Sequence, residues 1–418
     1  MVLMGFDKQC ITPTLPVALS GYAGERISTG VHDDLYTRCI AMKCNDEFYV
    51  MAQCDCIAVD DSLRFSVLKN LSGIPLKNEH FVLAATHTHS GPAGTIDTTT
   101  RPFSSLQGVF GTPNPTYQHE LAEKIALAIT NAFGNLTECT LTVGTGTVNG
   151  VGCERHDPLL AGDSSLFVLR FDRKDGKKVL LYNYACHPTV LNPSNLLITA
   201  DFPYAVEQAL PYDMTMFINS NAGDISTRFT RTSSSYEQLE YYAAILCESI
   251  AQALADPLYS GTFDHIHIRQ CPITLPVKNL PPAELQKKQL QQYEERLEKG
   301  QSEGLSPKAL RVLASYVEGA KVSLDLGKAL EGLESIETHF SVITLQNFKI
   351  ATIPGELFST LGTQLKAQGI QVFGYTNGYY LYLADQNAYD RMYYEAMSSP
   401  FERGAGEYLI KNILKNIP

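Results

Sequence analysis

Five short apolar runs, Phe81 to Ala85, Val179 to Tyr184, Met214 to Ile218, Phe348 to Ile353 and Ile370 to Phe373, each run out into a cluster of Gly, Pro, Asn, Ser or Thr. This punctuation restricts the fold more than any other feature, because short apolar segments bounded by turn formers read as buried strands feeding loops. Between them, apolar residues recur every three or four positions over Tyr117 to Phe133 and Ser235 to Leu254, which predicts helices. Strands alternating with helices imply an α/β class, here a mixed β-sheet flanked by helices. A chain of 418 residues has room for two domains or one large one, and we expect a single unit over residues 1–418.

One segment differs in character. From Pro281 to Leu333 the chain is rich in Lys, Glu, Gln and Leu, which predicts two helices joined between Gly300 and Ser306. The expectation is a helical hairpin over 281–333 inserted into the main fold with a solvated face; a lid or a dimerisation arm is the sharper alternative.

The balance of residues narrows the partners. A formal net charge of −11 argues against nucleic acid, since a phosphate backbone is gripped by clustered Lys and Arg. No stretch reaches the roughly 20 apolar residues of a membrane-spanning helix. Met1 to Thr12 has neither a basic start nor an apolar run of signal-peptide length, and the 10 cysteines are scattered without a dense framework. The expectation is a cytoplasmic protein with reduced, mostly buried thiols, acting on a small molecule, with a homo-oligomer left open.

The chemistry-bearing residues sit where the strands end. The first run leads into His87, Thr88 and His89, and in an extended segment residues two apart face the same side, so both imidazoles share one space. A second strand leads to His187, held extended by Pro188. A third ends at Pro354-Gly355 and delivers Glu356, expected to open a helix. Two histidines and a glutamate on three strand ends form a plausible zinc set, and no Cys pair stands at zinc-finger spacing, so an open catalytic site is favoured over a closed structural one. The fourth strand feeds Asn219 to Ser226, where Ser226 is either a nucleophile, a positioning hydroxyl or simply a turn residue. The fifth delivers Tyr379, Tyr380 and Tyr382, which are packing residues unless a phenol reaches a metal or an oxyanion.

Taken in order, THTHSGP at 86–92, NYACHPTVL at 183–191, NAGDIS at 221–226, PGELFSTLG at 354–362 and the Tyr-rich block from Asn377 to Ala396 resemble the catalytic region of the neutral, non-lysosomal ceramidases. The resemblance runs from Ile11 to about Gly404 and includes the SGYAG turn near the start. It implies zinc held by His87, His187, Glu356 and Tyr382, with His89 facing the substrate beside the metal. It implies Ser226 as the residue described in the family as nucleophile, Tyr394 as a second active-site tyrosine, and Gly21 and Arg155 as substrate contacts. After Ser226 the family motif continues Pro-Asn, whereas Thr227-Arg228 follow here. The immunoglobulin-like carboxy-terminal domain of full-length ceramidases finds no counterpart, so the chain is expected to be the catalytic domain alone.

The resemblance therefore implies zinc-assisted hydrolysis of an N-acyl amide, ceramide or a related compound, to a fatty acid and an amine. Zinc chemistry of that kind works by lowering the pKa of bound water to about 7 and polarising the carbonyl. Two other classes compete: a zinc esterase or phosphoesterase on the same metal set, and a non-catalytic binding protein on the same fold.

Overall fold

The computed structural model describes residues 1–100, 102–104, 106–157, 159–160 and 162–417. Two sheets lie face to face. Among the described residues the larger has nine strands, ordered Met214–Asn219, Lys178–Tyr184, Ser165–Arg173, Thr137–Thr147, Val2–Cys10, Tyr36–Cys44, Glu47–Cys54 and Phe81–Ala85, with Tyr259–Thr262 alongside Thr137–Thr147. Its two outermost pairs are parallel and its centre antiparallel, so it is mixed as expected. The smaller sheet is ordered Ile266–Pro276, Ser335–Leu345, Phe348–Thr352 and Ile370–Phe373, the last pair parallel.

Period-two alternation sorts the strand residues between two cores. Ile40 and Met42 point between the sheets, where they join Phe167, Met216, Ile268, Ile343 and Phe373. Cys39 and Ala41 point outward, under helix Pro115–Gly134 and its buried Leu121, Ile125 and Ile129. Helix Tyr236–Ala255 covers Val168, Leu180 and Tyr182 on the same sheet. Helices Ser359–Lys366 and Ala405–Asn416 cover the outer face of the smaller sheet through Leu361, Leu365, Leu409 and Ile413. The result is a helix–sheet–sheet–helix stack. Each fully buried aromatic or aliphatic side chain contributes on the order of 1.5–3 kcal/mol.

The helix starts follow from capping chemistry. Asn114 accepts the Tyr117 N–H through its side chain and Pro115 occupies the first turn, where its missing N–H costs nothing. The 281–333 segment is a hairpin of two helices, Ala283–Ser302 and Pro307–Ala329, with Ser306 capping the second. It connects Ile266–Pro276 to Ser335–Leu345, two strands that pair antiparallel along their whole length. The hairpin does not stand free: it packs on the short helix Tyr394–Ser398 at Gly319, where a Cβ would lie 2.7 Å from Met397 Cε and 3.3 Å from Tyr394 Cα. No helix among the described residues is long and apolar enough to cross a membrane.

Candidate metal centre and cleft

The chain leaving all five sequence-predicted strands converges on one space. His87 follows Phe81–Ala85, His187 follows Lys178–Tyr184, Ser226 follows Met214–Asn219, Glu356 follows Phe348–Thr352 and Tyr375 follows Ile370–Phe373. Both imidazoles are buried and oriented by backbone: His87 Nδ1 donates to the Ile57 carbonyl at 2.7 Å, and His187 Nδ1 donates to the Ile225 carbonyl at 3.0 Å. With Nδ1 as donor, each Nε2 carries a lone pair facing inward, the usual arrangement of a histidine ligand.

Those lone pairs meet a carboxylate. Glu356 Oε2 lies 3.5 Å from His87 Nε2 and 3.0 Å from His187 Nε2. His187 Nε2 is nevertheless out of hydrogen-bond alignment and is a buried nitrogen without a hydrogen-bond partner. His89 Nε2 stands 3.3 Å from His87 Nε2, so His87, His89 and His187 offer three ring nitrogens within 4.8 Å of one another. Burial pushes His87 down to about 4 and His89 well below its ordinary value, so both are neutral at pH 7. Glu356 goes the other way, lowered to about 2: burial opposes its charge, and the protonated forms of His87 and His187, together with the permanently charged Arg155, favour it. Imidazole nitrogens and a carboxylate buried together are the donor set that a zinc-like divalent cation takes.

Two local expectations need correction. His87 to His89 is not a regular extended segment: His87 has φ of 70°, in the left-handed region that a side chain rarely adopts. The two rings still meet, edge to face with centroids 4.9 Å apart, but through that kink rather than through strand alternation. Glu356 does not open a helix. Glu356 and Leu357 are extended and pair parallel with Tyr382 and Leu383, and the helix begins at Ser359. The helix start is capped from outside, by Asp224, whose carboxylate accepts the Ser359 N–H at 2.7 Å and the Ser359 hydroxyl at 2.8 Å. Pairing leaves the Glu356 side chain free to turn into the histidines.

The pairing also sets Tyr382 next to Glu356, beneath the Arg155 guanidinium, whose carbon is 5.4 Å from the ring centroid. Tyr382, Tyr394, Arg155, Ser226, His89, His187 and Gly21 all line one cavity of about 1040 Å³. Gly21 has φ of +92°, and a Cβ there would lie 2.5 Å from the His89 ring, so only glycine lets the two approach. Burial pushes Tyr394 up to about 12, which keeps its hydroxyl a donor at neutral pH. Ser226 Oγ accepts the Arg228 N–H at 3.3 Å, and no imidazole or carboxylate among the described residues is hydrogen-bonded to it. The far wall is the helical hairpin, through Leu297, Arg311, Val317, Glu318 and Val322. Tyr380, in contrast, packs on Phe103 and Phe401.

Sequence reasoning missed several participants. The Tyr375 ring lies 4.4 Å from that of His87 and its hydroxyl donates to Glu356 Oε2 at 3.4 Å, beside the hydroxyl of Tyr379, a residue the sequence did single out, which donates to Oε1. Tyr375 stands two residues past a strand end, the same signal that located the histidines. Glu395 was also missed: it binds Arg155 at 2.5 Å and His156 Nε2 at 2.8 Å. Tyr22 packs on His89 with centroids 4.9 Å apart. No local pattern marks these last two.

Comparison with known proteins bears on the family and the fold. A family model described as neutral/alkaline non-lysosomal ceramidase, N-terminal, matches residues 3–255. A neutral ceramidase of Drosophila melanogaster is 26% identical over 261 residues, covering 53% of this chain and 36% of the fly protein, so the match spans little more than a third of that relative. A crystal structure of neutral ceramidase from Pseudomonas aeruginosa superposes with a TM-score of 0.73 at 16% identity, covering 99% of this chain and 73% of that one. A ceramidase complexed with C2 gives 0.72 at 16%, covering 100% and 76%. At that identity the two structures show the shared fold.

Proposed function

The chain belongs to the neutral/alkaline non-lysosomal ceramidase family, and from that premise we propose that it hydrolyses the amide bond of an N-acyl substrate, ceramide or a relative of it, at a zinc site formed by His87, His187, Glu356 and Tyr382. The observation that carries the reading is the pair of backbone-oriented imidazoles whose Nε2 atoms lie 3.5 and 3.0 Å from Glu356 Oε2. An ion held there supplies Lewis acidity to the amide carbonyl and a water nucleophile at neutral pH.

The chain's own residues do the rest. Tyr375 and Tyr379 hold the Glu356 carboxylate toward the histidines. His89, neutral and packed between Gly21, Tyr22 and His87, accepts or returns a proton at Nε2. The protonated Tyr394 hydroxyl and the Arg155 guanidinium donate to the negative charge that develops on the carbonyl oxygen. Ser226 orients the substrate or the water; with no base hydrogen-bonded to it, an obligatory nucleophile is the less supported role. In the same proposal residues 1–418 act as one catalytic unit, with the 281–333 hairpin walling the cleft and excluding water. The ten free thiols suit a reducing, cytoplasmic setting.

Elemental analysis tests the site directly. The purified protein should hold one zinc per chain, and His87→Ala or His187→Ala should lower occupancy below about a tenth. Full zinc in both variants would refute the ligand assignment.

A further inference from the structure

The cleft carries more positive charge than its own carboxylates balance. Five Arg and Lys side chains line it, Arg155, Arg228, Arg231, Arg311 and Lys321, together with His156, which Glu154 and Glu395 hold, against three carboxylates, Glu318, Asp325 and Glu395. Three of the five have partners: Arg155 with Glu395 at 2.5 Å, Arg311 with Glu318 at 2.7 Å, and Lys321 with Glu294 at 3.4 Å. Arg228 and Arg231 meet no carboxylate at ion-pair distance among the described residues. Arg228 donates to the Arg155 carbonyl at 3.1 Å, and Arg231 to the Thr189 carbonyl and, at 3.4 Å, to Thr227 Oγ1. A guanidinium has more N–H donors than these contacts use.

Their setting makes the imbalance specific. In a chain of net charge −11, carboxylates are plentiful, yet among the described residues none stands at ion-pair distance from these two half-buried cations; Glu395 and Glu318 act on Arg228, and Asp201 on Arg231, from farther away. Burial first, and then repulsion from Arg155 and Arg311, outweigh the attraction of Glu395 and Glu318 and lower Arg228 to about 10, which leaves it charged at pH 7. The backbone ties both to the reacting centre: the Arg228 N–H donates to Ser226 Oγ at 3.3 Å, and Arg231 binds the carbonyl of Thr189, two residues after His187. Leu297, Val317 and Val322 of the hairpin give the same cavity an apolar wall.

We propose that the cleft selects an N-acyl amide whose amine portion carries a carboxylate a few bonds from the scissile bond, with Arg228 and Arg231 binding the carboxylate and the hairpin wall taking the acyl chain. This rests on the amide-hydrolase reading above. An N-acyl amino acid is the simplest such substrate. Water adds its hydroxyl to the carbonyl carbon, the C–N bond breaks with its electrons going to nitrogen, and nitrogen gains a proton, releasing a fatty acid and an amino acid. The fork of a guanidinium matches a carboxylate in a way that no neutral alcohol head can reproduce.

Dodecanoyl-glycine and dodecanoyl-ethanolamine share the chain and the amide and differ in the charge of the head. Calorimetric titration of the full-length, zinc-loaded protein should show the charged amide binding at least tenfold tighter. In Arg228→Gln and Arg231→Gln that ratio should fall about tenfold each, whereas Arg228→Lys should keep part of it; circular dichroism checks that the variants are folded. Equal affinity for the two amides in the unmodified protein, or a preference that survives in the double variant, overturns the proposal. Hydrolysis is followed in parallel. Selective binding of the charged amide without cleavage of either supports the anion site and refutes the hydrolase reading instead.

Discussion

His156 should give the protein a stability that fades in mildly alkaline solution. Its Nδ1 lies 2.5 Å from Glu154 Oε1, its Nε2 lies 2.8 Å from Glu395 Oε2, and its ring stacks on Tyr393 at 3.8 Å. Burial alone would lower its affinity for a proton, but the Glu395 charge and the hydrogen bonds to Glu154 and Glu395 outweigh it and lift the pKa to about 9. A folded-state value above the unfolded 6.5 means that the contribution is fully present below pH 6.5 and is lost as pH rises through about 9. A shift of that size corresponds to at most about 3 kcal/mol, and partial screening brings the expectation to roughly 1–3 kcal/mol. Urea unfolding of the parent and of His156→Gln, compared at intervals from pH 6 to 10, isolates the effect, because other titrations cancel in the difference. The gap between the two proteins should be widest near pH 6 and close through pH 9. An equal gap at every pH would refute the charged His156 and with it this picture of the Glu154–His156–Glu395 cluster.

Three further outcomes are expected. Ser226→Ala should lower kcat by about 100- to 1,000-fold, the range for loss of one oxyanion or positioning group; a loss many orders larger would restore an obligatory seryl intermediate, and steady-state kinetics decide between them. Gly21→Ala forces a side chain into φ of +92° and against the His89 ring, so it should cost about 1–2 kcal/mol in thermal unfolding and more than tenfold in activity. Gly319→Ala places a Cβ 2.7 Å from Met397 Cε and should loosen the hairpin from the Tyr394 helix, read as faster proteolytic cleavage between residues 303 and 306.

Much of this architecture is a local property of the chain. Apolar spacing located Phe81–Ala85 and Ile370–Phe373 to the residue, and the polarity of 281–333 located two helices with their turn, because period and turn chemistry are written in neighbouring positions. His87, His187 and Glu356 were legible for the same reason, as titratable residues two to four positions beyond buried strands, whereas Tyr382 was reached through the family resemblance.

What the neighbours of a residue do not encode, only the folded chain decided. The kink at His87, the carbonyls of Ile57 and Ile225 that orient the two imidazoles, and the parallel pairing that turns Glu356 inward all depend on segments far apart in sequence. So does the fate of the charges. Arg155 and Arg311 read no differently from Arg228 and Arg231 along the chain, yet the first two meet Glu395 and Glu318 and the other two meet none among the described residues. Whether a cation is neutralised is set by which distant carboxylate the topology brings within a few ångströms, since Coulomb attraction at the surface of a protein is spent over that distance.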